Sequence, residues 1–168
     1  IALSVLDRTA EARVEMASFE QAFAAVPEEW WVFNNRVHDV LPIARAMLEG
    51  ETAYREGRLE AAWAALRRGI EAEDRLIYDE PPAWMLPVRH SMGALMMEAG
   101  EYAAAERLYR EDQERHPGNG WSLLGLKQAL VAQGKTGEAA ALDTSLEQAW
   151  RRVDAKPPSS CFCATGRS

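Results

Sequence analysis

Apolar residues recur every three or four positions along most of the chain, the spacing that puts them on one face of an α-helix. Near the start, this spacing predicts one long amphipathic helix over residues 2–25, with Leu6 and Ala10 on its apolar face. No stretch alternates apolar and polar residues for long enough to predict a strand. The pattern therefore predicts an all-α fold.

Composition favours the same fold. Ala occurs 29 times among the 168 residues, whereas Val, Ile and Thr together occur 18 times. Ala is the best helix former, and β-branched residues favour strands. Hydrophobic residues make up 48% of the chain and charged residues 27%, which is typical of a folded globular protein and not of a disordered one.

Charge argues against nucleic acid as a partner, and hydropathy argues against a membrane span. The formal net charge is −7, so no basic face is expected that would displace counterions from nucleic-acid phosphates. The uncharged stretches are far shorter than the ~20 apolar residues that a membrane span needs. Because the sequence starts at Ile1 within a helical pattern, we expect a processed chain or a fragment of a longer parent.

A pattern centred on glycine occurs three times. Each copy reads as a helix, a Gly turn and a second helix, and the turn glycines Gly57, Gly100 and Gly134 are 43 and 34 residues apart. Glycine accepts the positive φ that ends a helix, and a small residue five positions later lets the paired helices approach closely. Leu66 and Tyr109 are predicted to fill the space toward the next helix pair. One hairpin cannot cover its own apolar face, so three hairpins are predicted to stack as a solenoid over residues 41–154.

The middle copy resembles the tetratricopeptide repeat (TPR) family, whose period is 34 residues. The positions that carry the resemblance are Gly93, Gly100, Tyr102, Ala105, Tyr109 and Pro117. It covers roughly residues 41–150, and residues 77–140 look like the C-terminal part of bacterial TPR proteins without an assigned activity. The resemblance implies a superhelix of antiparallel helix pairs that binds proteins, in a bacterial protein of either cytoplasm or periplasm.

The flanks of the repeats are less regular. Residues 1–40 are predicted to hold the N-terminal helix and an aromatic loop, EEWWVFNN, whose Trp30, Trp31 and Phe33 pack on the solenoid. Residues 155–168 form a tail with turn and coil composition. We expect packing on the repeats, a bound ion, a disulfide or a neighbouring molecule to hold this tail.

The concave side of the predicted solenoid is the candidate binding groove. The first helix of each pair lines that side, and aromatic and Met side chains there suit peptide recognition. The predicted groove residues are Met47, Glu51, Tyr54, Arg55, His90, Met97, Trp121 and Gln128. The expected partner is a protein or peptide segment, a second copy of the chain, or upstream repeats. The alternative is that the terminal helix or the tail covers the groove.

Cys161 and Cys163 are the only cysteines and form a C-x-C pair. Such a pair can bind a soft metal ion, with histidines as additional ligands, or act as a thiol-redox couple. Zinc motifs usually supply four ligands at fixed spacings, and this pair supplies two. A metal-binding or redox module is therefore the alternative function, beside an inert tail.

The sequence gives little support to catalysis, and no catalytic residue is predicted. The GKT at residues 134–136 has Ala129 where a phosphate-binding loop needs Gly, and no strand precedes it. His90 and Ser91 are adjacent, so on a helix their side chains point in different directions. An enzyme site around Glu80 and His90 is the least favoured interpretation.

The loop DEPPAW beginning at Asp79 has two interpretations. Asp79 and Glu80 are either metal ligands or an acid–base pair beside an aromatic ring, or part of a rigid connection between repeats. Two prolines stiffen the loop, and carboxylates there favour the start of the next helix. We favour the rigid connection.

Overall fold

A computed structural model describes residues 1–154 and 157–161 of the chain. Helices make up most of this part, which confirms the prediction of an all-α fold. The elements in chain order are α1 (Ala2–Val5), α2 (Thr9–Ala24), β1 (Trp31–Val32), β2 (Asn35–Arg36), α3 (Val37–Arg55), α4 (Leu59–Glu73), α5 (Val88–Glu98), α6 (Tyr102–Arg115), α7 (Gly120–Ala132), α8 (Thr136–Ala141) and α9 (Asp143–Ala149).

The contacts along the chain divide it into two compact units. Unit 1 contains residues 1–88, and unit 2 contains residues 89–168. The sequence analysis placed its boundaries at residues 40 and 154, where the repeats begin and end, and that division stays a prediction.

In unit 1, the predicted helix over residues 2–25 is broken, so that prediction is wrong in one respect. Asp7 adopts a φ of 57°, a left-handed conformation that ends α1 before α2 begins at Thr9. The short α1 is tied to α3 by a buried hydrogen bond of 3.1 Å between the hydroxyls of Ser4 and Thr52.

The three predicted Gly turns form with matching geometry, each between two helices. Gly57, Gly100 and Gly134 have φ values of 75°, 78° and 74°. In each turn the amide after the glycine donates to the carbonyl five residues earlier, at 2.9 Å. This is the pairing of a Schellman motif, which satisfies carbonyls at the helix end. The hairpins are α3–α4 in unit 1 and α5–α6 and α7–α8 in unit 2.

Close packing at glycines holds the hairpins together. A Cβ at Gly50 of α3 would lie 2.5 Å from Leu66 of α4, and a Cβ at Gly93 of α5 would lie 2.4 Å from Tyr109 of α6. In both hairpins the large residue follows the glycine by 16 positions, and both large side chains are fully buried. The small residues after the turns, Ala62, Ala105 and Ala139, are also buried.

The predicted aromatic loop contains a short antiparallel hairpin, in which Trp31 pairs with Arg36 and Val32 with Asn35. Trp30 and Trp31 are each 56% exposed and Phe33 is 64% exposed, so the prediction that these rings pack on the helices is wrong. The contacts of the hairpin with the loop after α4 are made instead by Asn34 and Asn35.

The loop after α4 is fastened to the β1–β2 hairpin through Asp79, while its interpretation as a rigid connection between repeats stays a prediction. The Asp79 carboxylate is buried and accepts hydrogen bonds from the Asn34 amide at 3.2 Å and from Asn35 Nδ2 at 2.7 Å. Neither Asp79 nor Glu80 is the carboxylate that accepts from the Val88 amide at the start of α5. That hydrogen bond goes to Glu73 Oε2, at 2.9 Å.

Candidate functional site

Part of the C-terminal tail lies on the helices of unit 2 through four polar contacts. Gln128 Nε2 of α7 donates to the carbonyl of Pro158 at 2.8 Å, and the Ser160 hydroxyl donates to the carbonyl of His90 at 3.0 Å. The hydroxyls of Tyr109 and Ser160 are 2.5 Å apart. Ser91 Oγ lies 3.4 Å from Cys161 Sγ.

We call the surface that contacts residues 157–161 the tail face. It is formed by the side chains of Ser91, Tyr109 and Gln128 and by the main chain of His90. Ser160 is buried there, whereas the rest of the described tail is half-buried or exposed. The tail face therefore holds one small hydroxyl side chain deeply and contacts its neighbours less closely.

Tyr109 reaches the tail face because two helices leave room for its ring. A Cβ at Gly93 of α5 or at Gly125 of α7 would lie 2.4 Å or 2.3 Å from Tyr109 Cζ. Burial raises the pKa of the Tyr109 phenol, which therefore stays protonated at neutral pH. Because the Ser160 proton goes to the His90 carbonyl, the phenol donates to Ser160 Oγ.

A buried carboxylate lies behind the tail face. Asp112 of α6 is fully buried, and it accepts from His90 Nε2 at 2.9 Å and from His116 Nδ1 at 3.1 Å. Burial alone would raise the pKa of Asp112, but hydrogen bonds from His90, Ser122 and His116 outweigh it and lower the pKa to about 2. The Asp112 carboxylate thus fixes α5 to α6 in its ionised form.

The geometry separates His90 from Ser91 as the sequence predicted. The His90 ring points to Asp112, while the Ser91 hydroxyl points to Cys161. The two side chains thus serve different partners and do not form a nucleophile–base pair.

The predicted groove residues are distributed over both units. In unit 1, Met47 and Glu51 are buried, and Tyr54 and Arg55 are half-buried. The Tyr54 ring lies 5.7 Å from the Trp63 ring, and the Arg55 guanidinium lies 5.0 Å from the Tyr54 ring. These contacts occupy part of the surface that was predicted for a partner.

In unit 2, two of the predicted groove residues touch the tail. Gln128 does so through its side chain and His90 through its carbonyl. Met97 and Trp121 are half-buried, and Trp121 packs edge-to-face on Trp150 with ring centroids 5.5 Å apart. A groove that spans residues of both units stays a prediction, while the tail accounts for the contacts of Gln128 and His90.

Sequence reasoning missed Tyr109 and Ser160 as site residues. Tyr109 was assigned to packing alone, although a buried phenol normally needs a hydrogen-bond partner, and that requirement was the available signal. Ser160 carried no such signal, because its partners are 51 and 70 residues away in the sequence.

Cys161, a predicted metal or redox residue, is disulfide-bonded and half-buried. Cys163 lies outside the described residues. A disulfide sulfur carries no thiolate for a soft metal ion, so metal binding would require reduction first. Within residues 1–154 and 157–161, no group of three or more His, Cys, Asp or Glu side chains is arranged to hold a metal ion.

Comparison of the chain with protein-family models, with curated proteins and with solved structures finds no match. The TPR resemblance therefore remains an expectation from the sequence. No helix in the described part of the chain is both long enough and apolar enough to cross a membrane.

Proposed function

We propose that the protein is a TPR-like protein-interaction module that binds an extended peptide segment on the tail face. One observation carries this proposal: an irregular segment, residues 157–161, already lies there with hydrogen bonds to α5, α6 and α7. In this view the tail is a built-in occupant, and a partner segment takes its place.

The kinds of contact favour a peptide ligand. Gln128 donates to a main-chain carbonyl, which every peptide offers, so this contact contributes affinity without selecting a sequence. Tyr109 and the His90 carbonyl together accommodate a hydroxyl that both accepts and donates a hydrogen bond. The preferred ligand therefore has Ser or Thr two residues after the position whose carbonyl Gln128 contacts.

The matching Schellman turns are the basis for the TPR-like part of the proposal. They end the first helix of each hairpin in the same way, and the Gly93–Tyr109 and Gly50–Leu66 contacts recur at the same spacing. Repeated hairpins of this kind bind partners through extended surfaces.

The proposal is tested by adding a copy of the tail as a separate peptide. A fluorescein-labelled peptide with the sequence of residues 154–160 is titrated with the Ser160→Ala chain, and fluorescence anisotropy is followed. In this chain the attached tail no longer uses the Tyr109 hydroxyl, so a further Tyr109→Phe change acts on the added peptide alone. We expect that change to weaken binding roughly 5- to 10-fold, because one buried hydrogen bond is lost.

Tyr102→Phe in the same Ser160→Ala background is the matched control, because Tyr102 is an exposed residue of the same helix, α6. It should leave peptide affinity unchanged. Equal affinities for the Tyr109→Phe and Tyr102→Phe chains, or no peptide binding by any chain, would refute the proposal.

A second candidate function, thiol exchange, is favoured by the disulfide at Cys161. A thiolate such as glutathione would attack Cys161 Sγ, form a mixed disulfide there and release the other sulfur as a thiolate. Mass spectrometry after glutathione treatment should detect one adduct, which Cys161→Ser abolishes. Two free thiols in protein purified without reductant would contradict this function.

A further inference from the structure

In unit 1, the β1–β2 hairpin and the loop after α4 are fastened side by side. Asn35 is buried, its Nδ2 donates to the Ile77 carbonyl at 2.8 Å, and its Oδ1 accepts from the Ile77 amide at 2.7 Å. Asp79 accepts from Asn34 and Asn35, as described above. This network fixes the positions of the side chains that the two segments carry.

The fastened segments expose large apolar side chains, which we call the apolar rim. Phe33 is 64% exposed and Tyr78 76% exposed, and the Tyr78 carbonyl accepts from Asn34 Nδ2 at 3.2 Å. The complete apolar rim consists of Trp30, Trp31, Phe33, Ile77 and Tyr78. A group of large, exposed apolar side chains on a folded protein marks a surface that another molecule covers.

Phe33 is the least expected member of the apolar rim. Its φ is 53°, a left-handed conformation that favours Gly or Asn and is costly for a bulky residue. Neither the turn nor the packing of unit 1 requires a phenyl ring at this position, because the ring is mostly exposed. The Phe33 ring is therefore open to contact with a ligand.

Next to the apolar rim is a cavity of about 400 Å³ with two arginines in its wall. The guanidinium of Arg36 lies over the Trp31 ring, 5.4 Å from its centroid. Among the described residues, neither Arg36 nor Arg75 forms an ion pair, although Asp39 and His38 also line the cavity. Other arginines of unit 1 do pair with a carboxylate, such as Arg45 with Glu20.

We infer that this cavity and the apolar rim bind an acidic peptide segment of a partner protein. A carboxylate side chain of the segment pairs with Arg36 and Arg75, and a neighbouring apolar side chain packs on the rim. A free inorganic anion would leave the rim uncovered, and a basic segment would be repelled by the two arginines. This site lies within unit 1 and does not depend on the tail face.

The test uses the full chain and a fluorescein-labelled ten-residue peptide of alternating Glu and Leu. The same peptide with Gln for every Glu, measured by fluorescence anisotropy, reports the contribution of charge. We expect the Gln peptide to bind at least 10-fold more weakly. Arg36→Gln and Arg75→Gln should each weaken binding of the Glu peptide roughly 10-fold, because each removes a charged hydrogen-bond donor.

Arg67→Gln is the matched control, because Arg67 is an exposed arginine of unit 1 on α4 with no ion pair among the described residues. It should change binding less than 2-fold. Phe33→Gly separates binding from folding. Because glycine relieves the left-handed conformation, this change should raise the midpoint of thermal unfolding. It should nevertheless weaken binding of the Glu peptide at least 3-fold.

Four results would overturn the inference. Equal binding of the Glu and Gln peptides would remove the role of charge, and an equal loss in the Arg67→Gln and Arg36→Gln chains would remove the role of the cavity. Binding of phosphatidylserine vesicles without binding of the Glu peptide would assign the rim to a membrane. A dimer that Phe33→Gly dissociates, without peptide binding, would assign it to self-association.

Discussion

At the scale of single residues, Tyr109 joins the packing of unit 2 to the tail face. Its ring fills the space beside Gly93 and Gly125, and its hydroxyl donates to Ser160. The sequence predicted the packing role, because Tyr109 stands where a large side chain fills the space toward the next helix pair. It could not predict the hydrogen bond, because the position of the tail depends on contacts between distant residues.

Gly93→Ala should destabilise the protein by about 1–3 kcal/mol, because the new methyl overlaps the Tyr109 ring and a packed ring cannot move away freely. Urea unfolding followed by circular dichroism measures this loss. Gly137→Ala is the control: a Cβ there meets nothing within 4 Å, and the residue lies in α8. It should be neutral or stabilising by up to about 1 kcal/mol. Equal effects of the two changes would contradict the packing account.

The ionised Asp112 carboxylate makes the stability of the folded protein fall at low pH. Its pKa is about 2 in the folded chain against an ordinary value of 3.8, so its contribution is complete above about pH 4 and is lost as the pH falls toward 2. Asp112→Asn should lower the free energy of unfolding at pH 7 by about 2 kcal/mol, from the size of that shift.

The difference between wild type and Asp112→Asn should shrink as the pH falls from 4 to 2. Glu106, whose pKa is lowered to about 2 chiefly by its hydrogen bond from Lys135, remains in both chains and so cancels from the difference. Urea unfolding at a series of pH values tests this. A constant difference between the chains across this range would show that the Asp112 charge is not the cause.

At the scale of elements, the sequence predicted the helical hairpins but not the β1–β2 hairpin that precedes them. Glycine leaves a local signal, since a left-handed φ at a helix end favours it, and Gly57, Gly100 and Gly134 all adopt that conformation. The β1–β2 hairpin leaves no such signal. It depends on Asp79, which is 44 residues after Asn35, and periodicity does not report contacts at that distance.

The Gly turns lead to a prediction about α5 and α6. Gly100→Ala should destabilise the protein by about 1 kcal/mol or more, because Ala must adopt a φ of 78°. Gly100→Asn should cost less, because Asn tolerates the left-handed conformation better than Ala does. Both are measured by thermal or urea unfolding. If Ala were tolerated as well as Asn, the conformation of the turn would not be the reason for glycine at this position.

At the scale of the whole molecule, each unit carries one of the two surfaces that we propose bind another polypeptide. Unit 2 has the tail face, occupied by residues 157–161, and unit 1 has the apolar rim with Arg36 and Arg75 beside it. The sequence predicted a peptide-binding role and two of the residues that contact the tail, His90 and Gln128. It did not single out the apolar rim, because it predicted those aromatic side chains to be packed.

The central claim is that the attached tail and a partner peptide compete for the tail face. The most direct test compares the affinity of the labelled peptide copying residues 154–160 for wild type, Ser160→Ala and Ser159→Ala chains.

Ser159 is the matched control, because its hydroxyl donates to the Cys161 carbonyl within the tail. Loss of the two Ser160 hydrogen bonds should loosen the attached tail, so Ser160→Ala should bind the peptide roughly 5- to 10-fold more tightly than wild type. Ser159→Ala should match wild type. Identical affinities for all three chains would contradict the claim.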